Sequence, residues 1–520
     1  MSDENEIPLQ QLRHRALGCA EDGNWEAAIQ AWERLLQLGG EDADARVQLS
    51  YAWSLAGSYR AARDNAVRAA DAVALKRKVL LELLPRLRTF NEIPLLLRCI
   101  DKMGPLSSVP IPVLLRAASQ LSNAALPEKA LVLLDEARRG DPEYPATLLA
   151  RAQVLMYCGR MDEARADVER ALRRAPSIAH GYWLQAALRR QTQDTNHVDA
   201  IRKQLASGRS VGDLALLNFA LHKELDDLGD HSGAWIALEH GCQAKRSMLR
   251  YRLDENRRLL EDLLAAPIPA PARQREGAEV IPIFIVGMHR SGTTLLEHIL
   301  DRSKRVKGIG ELYDFTSAMR WATDHHCRGV IDRTIVARSS KVFYSEVGRR
   351  YLDGMRWRLS GESLFTDKLP SNFLNVGFIA AAQPEARILH MVRDPVETCF
   401  SNLRELFSDA NPYSYDQTEL ADYHAGYRML MQHWHANLPG HILDVDYARL
   451  TREPEVVMRE VCRFCGIEFH PDMLRTGGEQ RGVVTASAVQ VRDAIQVRDQ
   501  PKWKPYERYL GRLLGALPKA

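Results

Sequence analysis

Residues Gly287 to Thr294 read Gly–Met–His–Arg–Ser–Gly–Thr–Thr. This is the G-x-x-x-x-G spacing of a loop whose backbone N–H groups can cradle phosphate. Thr293 stands where a nucleotide-splitting P-loop needs lysine, so the point charge that serves a β/γ-phosphate pair is missing. Arg290, inside the loop, offers instead a planar fork of donors suited to an oxyanion. Downstream, Arg393–Asp394–Pro395 follows an apolar run, and Ser401 lies eight residues beyond Arg393. An arginine at a strand end and a serine on the next helix can together grip a second phosphate. Taken alone, Arg–Asp–Pro is an ordinary strand-to-helix turn with a capping aspartate; paired with a lysine-less glycine loop it becomes specific.

These groups need elements to position them. Ile281–Val286 is a β-branched apolar segment before the glycine loop, and Leu295–Leu300 keeps helical spacing after it, which is the strand–loop–helix context the motif requires. Further strand-like runs at Ser363–Thr366, Ala386–Val392 and His441–Val445 alternate with helical ones. That alternation predicts an α/β domain with a mainly parallel sheet, and ligands of such sheets bind at the carboxyl ends of the strands, where the candidate motifs lie.

The first half has a different period. Gly23, Gly57, Asn91, Ala125 and Gly159 recur every 34 residues, with Ala28, Ala62, Leu96, Ala130 and Ala164 five places later. Leu35, Ala69, Met103, Ala137 and Ala171 follow seven places after those. Small residues at fixed points let two helices approach closely, and the glycine or asparagine permits the turn between them. The pattern resembles tetratricopeptide repeats over about residues 9–180, with a late, shifted unit at Gly229 and Ala234. The resemblance implies a right-handed α-helical superhelix with a concave groove that holds a peptide or partner; the alternative role is self-association into a homodimer or support of the second half. Three prolines between Ala265 and Gly277 read as a linker. The expected division is therefore a helical array over 1–264, a linker over 265–278 and an α/β domain over 279–520.

Bulk composition narrows the function classes. The 520 residues are 46% apolar and 26% charged, with a formal net charge of +3, so the chain is globular and no broad nucleic-acid binding is indicated. The acidic start lacks the features of a signal peptide, and no apolar run approaches the length of a membrane span. Eight dispersed cysteines suit reduced thiols in a cytoplasm. Cys462 and Cys465 form a C-x-x-C without a second ligand pair, which favours buried helical cysteines over a zinc site, and no metal is expected. His433 and His435 flank Trp434, but residues two apart on a helix face different ways, so packing is the expectation there too.

From Pro282 to Trp503 the chain resembles sulfotransferases that use 3′-phosphoadenosine 5′-phosphosulfate, and is most similar to bacterial members fused to tetratricopeptide repeats, relatives of tyrosylprotein sulfotransferases. The resemblance implies that Arg290, Ser291, Gly292, Thr293 and Thr294 form the 5′-phosphosulfate loop, and that Arg393 and Ser401 hold the 3′-phosphate. It implies Glu311, in Gly310–Glu311, as the base, and Lys368, in Thr366–Asp–Lys–Leu–Pro370, as a catalytic lysine beside Arg290. Tyr447, Ser487 (with Thr485 as its alternative) and Lys502 match segments beside the nucleotide. The fold implied is a P-loop-like α/β domain. The reaction implied is sulfuryl transfer to a hydroxyl acceptor, either protein or peptide tyrosine or another hydroxylated substrate. Two departures stand out: His289 replaces the family's usual proline, and Leu312–Tyr–Asp–Phe315 lacks the arginine that helps tyrosylprotein enzymes read acidic peptides, which puts a tyrosine acceptor in doubt. Two rival classes stay open, a repeat scaffold with a catalytically silent nucleotide-binding domain and, less favoured, a P-loop kinase.

Overall fold

The computed structural model describes residues 9–72, 75–272, 280–475 and 500–517. The chain forms a helical amino-terminal region followed by a domain built on a five-stranded parallel sheet. By contact it divides into two compact units: residues 1–124 with 313–358, and residues 125–312 with 359–520.

In the helical region the 34-residue lattice is a lattice of turns. Gly23, Gly57, Asn91, Ala125 and Gly159 all take positive φ, between 58° and 89°, and Gly229 repeats this at 80°. Each ends one helix and lets the chain reverse into the next, the left-handed position that terminates helices. Ala28, Ala62, Leu96, Ala130 and Ala164 are fully buried, so the small side chains sit where paired helices touch.

Within the first unit, helices such as Trp25–Gly39 and Tyr59–Ala70 are joined by the segment that follows Leu312. The Ser317 hydroxyl donates to the Phe90 carbonyl at 3.0 Å and lies 3.0 Å from the Tyr59 hydroxyl. Asp324 accepts from the Arg60 N–H at 2.7 Å, while the Arg60 guanidinium donates to the Trp321 and Ala322 carbonyls at 2.8 Å.

Within the second unit, the sheet consists of β1 (Ile281–Gly287), β2 (Val306–Gly308), β3 (Leu364–Asp367), β4 (Arg387–Val392) and β5 (Ile442–Asp446). Their order is β2-β3-β1-β4-β5 and every pairing is parallel. Central β1 is covered on both faces, with Ile283, Phe284, Ile285 and Val286 fully buried, which is why its sequence is a continuous apolar run instead of an alternating one. Four of the strands coincide with the expected runs; β2 is only three residues long, too short for any periodicity to announce it. Helices of the repeat region belong to this unit as well. Arg246 donates to both carboxylate oxygens of Glu419 at 2.7 Å, and Arg404 is ion-paired with Asp226. Among the described residues no helix is long and apolar enough to cross a membrane.

Because Phe284 is buried on both sides by the parallel sheet and its cover, Phe284→Ala is expected to cost about 3–5 kcal/mol. This would appear as a lower urea midpoint at unchanged slope; a midpoint within error of wild type would contradict the placement of β1 at the centre.

Candidate active site

Every strand of the sheet delivers one candidate group at its carboxyl end: β2 leads to Glu311, β3 to Lys368, β1 to the glycine loop, β4 to Arg393 and β5 to Tyr447. Parallel strands point the same way, so these groups share one edge of the sheet.

The glycine loop is shaped by two close approaches. Gly287 has φ 149°, and a Cβ there would lie 2.8 Å from the Met391 carbonyl oxygen of β4. Gly292 has φ 109°, and a Cβ there would lie 2.4 Å from the Tyr447 ring. Arg290 between them also takes a left-handed φ of 67°, uncommon for a side chain of its size. The loop opens into the helix Thr293–Leu300, where Leu295 and Leu296 donate to the Gly292 carbonyl and the N–H groups of Thr293 and Thr294 stand at the head of the helix. Thr293 and Thr294 are buried there, and the buried Ser291 hydroxyl has no hydrogen-bond partner. A small cradle lined by N–H groups and an unsatisfied hydroxyl suits an oxyanion.

Arg290 and Arg393 meet at this loop. Arg393 donates from Nη1 to the Arg290 carbonyl at 3.0 Å and from Nη2 to Glu397 at 3.2 Å, and its guanidinium lies 4.3 Å from the centre of the Tyr447 ring. Arg290 donates from Nε to the Ser401 hydroxyl at 3.2 Å, with Nη1 3.6 Å from Glu405. Asp394 caps the helix Pro395–Leu403 by accepting from the Glu397 N–H at 2.8 Å, the capping role its sequence position suggests. The backbone N–H of Lys502 donates to Glu397 at 2.6 Å. Of the residues singled out from the sequence, Arg290, Ser291, Gly292, Thr293, Thr294, Arg393, Ser401, Tyr447 and Lys502 are thus gathered around one loop. Ser487 and Thr485 lie outside the described residues.

Lys368 and Glu311 form an ion pair at 2.8 Å, and the Lys368 N–H donates to the Gly310 carbonyl at 3.0 Å. Lys368 is completely buried, whereas the Glu311 carboxylate is 32% exposed, so the pair has one face open to an incoming group. Beneath it lies a residue the sequence reading passed over. Glu297, on the helix Thr293–Leu300, accepts from the Gly310 N–H and the Thr366 hydroxyl, both at 2.8 Å. Burial raises its carboxyl above the ordinary range, against the opposing pull of Lys368. No local signal marks it, because the run Leu295–Leu300 carries a second polar residue, His298. Glu405 was also missed, and burial raises it as well, against Arg290 and Arg404. His289 does not face outward. Its Nδ1 is 3.2 Å from the Tyr413 hydroxyl, its ring meets Phe407 edge-on, and its carbonyl accepts from Asn402 at 2.7 Å. Cys462 and Cys465 are buried on the helix Pro454–Cys465, as the sequence favoured.

Residues 282–471 match the profile of the sulfotransferase family. That segment therefore carries the sequence pattern of this family. A putative protein-tyrosine sulfotransferase of Caenorhabditis briggsae is 25% identical over 231 residues, 42% of this chain and 80% of that one. An uncharacterized protein of Aquifex aeolicus (strain VF5) is 28% identical over 405 residues, 74% of this chain. The match spans about half, 51%, of that relative's length. Among solved structures, the sulfotransferase domain from the Synechococcus PCC 7002 olefin synthase is matched over 46% of this chain and 98% of that one, at 17% identity and a TM-score of 0.29. In this chain the segment that matches the family follows a helical region whose turns recur every 34 residues.

Burial lowers the His289 imidazole from its ordinary 6.5 to about 4. The unfolded chain therefore binds a proton at His289 between pH 6.5 and about 4 that the folded domain does not, so rising pH adds stability across this window. His289→Gln removes the titration. The stability of wild type relative to this variant, from urea unfolding at stepped pH, is expected to climb from pH 4 to 6.5 and then stay level; parallel curves would show that the imidazole is not enclosed.

Proposed function

We propose that the sulfotransferase domain moves a sulfuryl group from 3′-phosphoadenosine 5′-phosphosulfate to a hydroxyl acceptor and releases adenosine 3′,5′-bisphosphate. One observation carries this reading: Arg393 donates to the carbonyl of Arg290 while Arg290 reaches Ser401, which joins two guanidinium groups and a hydroxyl at a glycine loop with an unpartnered buried hydroxyl. A nucleotide phosphorylated at both ends needs two oxyanion grips, and a guanidinium fork suits each.

In this reading Ser291, Gly292, Thr293, Thr294 and the first-turn N–H groups hold the 5′ end. Arg393 and Ser401 hold the 3′-phosphate, with Tyr447 against Arg393 and with Lys502 and Ser487 supplied by the last segment of the chain. The bound donor supplies an activated sulfuryl group. Glu311 accepts the proton of the acceptor hydroxyl as its oxygen attacks sulfur. The new oxygen–sulfur bond forms as the bond to the 5′-phosphate oxygen breaks, and the charge left on that phosphate is stabilised by Lys368 and Arg290. The Lys368 ammonium, 2.8 Å from Glu311, both orients the base and stands beside the charge that develops. The acceptor is a protein or peptide tyrosine, the residue named for the Caenorhabditis briggsae relative, or another hydroxylated molecule. The repeat array is the natural holder of a peptide acceptor. We assign the reaction to the cytoplasm, in keeping with eight free cysteines.

Glu311→Gln keeps shape and volume but cannot take a proton. With radiolabelled donor, turnover is expected to fall by about a hundredfold to ten-thousandfold while affinity for the bisphosphate product stays within about twofold. Near-normal turnover would remove Glu311 from the role of base; loss of product affinity would place it in nucleotide binding instead.

A further inference from the structure

The edge of the sheet formed by β4 and β5 carries a cluster that the transfer chemistry does not use. His390 on β4 stands opposite Asp444 on β5 in the parallel register. The helix Gln417–Asn437 brings His435 to the same point. His390 Nδ1 is 2.7 Å from Asp444 Oδ1, and His435 Nε2 is 2.8 Å from that same oxygen. Two imidazoles from different elements thus aim a ring nitrogen at one carboxylate oxygen, and the three ligand atoms lie within 4.8 Å of one another. Of the two histidines set aside from sequence, only His435 takes part: His433 turns toward Asn437, as the spacing of two predicts, while His435 finds its partners across the chain.

The surroundings add two features of a ligand set. The other nitrogen of His390, Nε2, meets the hydroxyl of Tyr427, eight residues before His435 and so on the same face of that helix. A histidine that ligates through one nitrogen is oriented by a hydrogen bond at the other. Burial is graded as well: His390 is buried, His435 half-buried and Asp444 exposed, which leaves solvent access to the point of convergence. Two neutral imidazoles and one carboxylate suit borderline transition ions, whereas magnesium and calcium require mostly oxygen.

We propose that His390, His435 and Asp444 form a binding site for a divalent transition-metal ion of the zinc class, with water completing the coordination and Tyr427 orienting His390. The metal replaces the two N–H contacts to Asp444 and ties β5, the edge strand, to β4 and to the helix Gln417–Asn437. It does not enter the transfer reaction, so the site stands or falls independently of the proposed activity.

The test is calorimetric titration of the full chain with zinc chloride. One zinc per chain is expected, with affinity lowered at least about tenfold in His435→Ala and in Asp444→Ala, and by about tenfold in Tyr427→Phe. Both alanine substitutions lie at accessible positions, and unchanged circular dichroism verifies their folding. Cobalt titration should give visible absorption bands in wild type that both alanine variants lose. The absence of saturable zinc uptake, or uptake that His435→Ala and Asp444→Ala leave unchanged, would overturn the assignment.

Discussion

The hydrogen bond from the Arg393 guanidinium to the Arg290 carbonyl, at 3.0 Å, is the contact on which the geometry of the site depends. It spans two adjacent strands, joining the loop after β1 to the turn after β4. It also satisfies a carbonyl within a loop whose backbone is held at φ 67°, a conformation that needs outside support. The support is mutual, because Arg290 in turn reaches Ser401 on the helix that Arg393 precedes. Tyr447, from the end of β5, closes the arrangement by lying against both Gly292 and Arg393. Larger residues at Gly287 or Gly292 would push these strands apart.

Three cations of the site each have a carboxylate neighbour: Arg290 with Glu405, Arg393 with Glu397 and Lys368 with Glu311. Such pairing lowers the cost of burying positive charge. An entering oxyanion must compete with these carboxylates, and the three differ in how they can yield. Burial raises the Glu405 carboxyl and so favours its neutral form, against the pull of Arg290 and Arg404. Glu311 keeps a solvent-facing side while it remains paired with Lys368. Below them, Glu297 fixes the turn that carries Glu311 through hydrogen bonds to Gly310 and Thr366.

Much of this is legible in the sequence. A continuous apolar run ending in glycine marks β1 and its loop, because a strand buried on both faces has no polar alternation. The 34-residue lattice marks the repeat turns, because each must adopt positive φ. What escaped was of two kinds. β2 is three residues long, and strands that short are defined by their neighbours alone. The remainder depends on contacts distant in sequence: Glu297 beneath Gly310, His435 against His390 and Asp444, and the segment Tyr313–Arg358 grouped with residues 1–124. Local spacing cannot carry such information, since each residue is unremarkable within its own element.

The central claim is that Arg290 and Arg393 belong to one nucleotide pocket. Its most direct test is a double-mutant cycle in calorimetric binding of adenosine 3′,5′-bisphosphate to the full chain. Saturable one-to-one binding is expected, with Arg290→Ala and Arg393→Ala each weakening it by about tenfold or more, and with non-additive losses in the double variant because the Arg393 guanidinium holds the backbone of the loop that carries Arg290. Absence of saturable binding, or binding that neither substitution alters, would contradict the account.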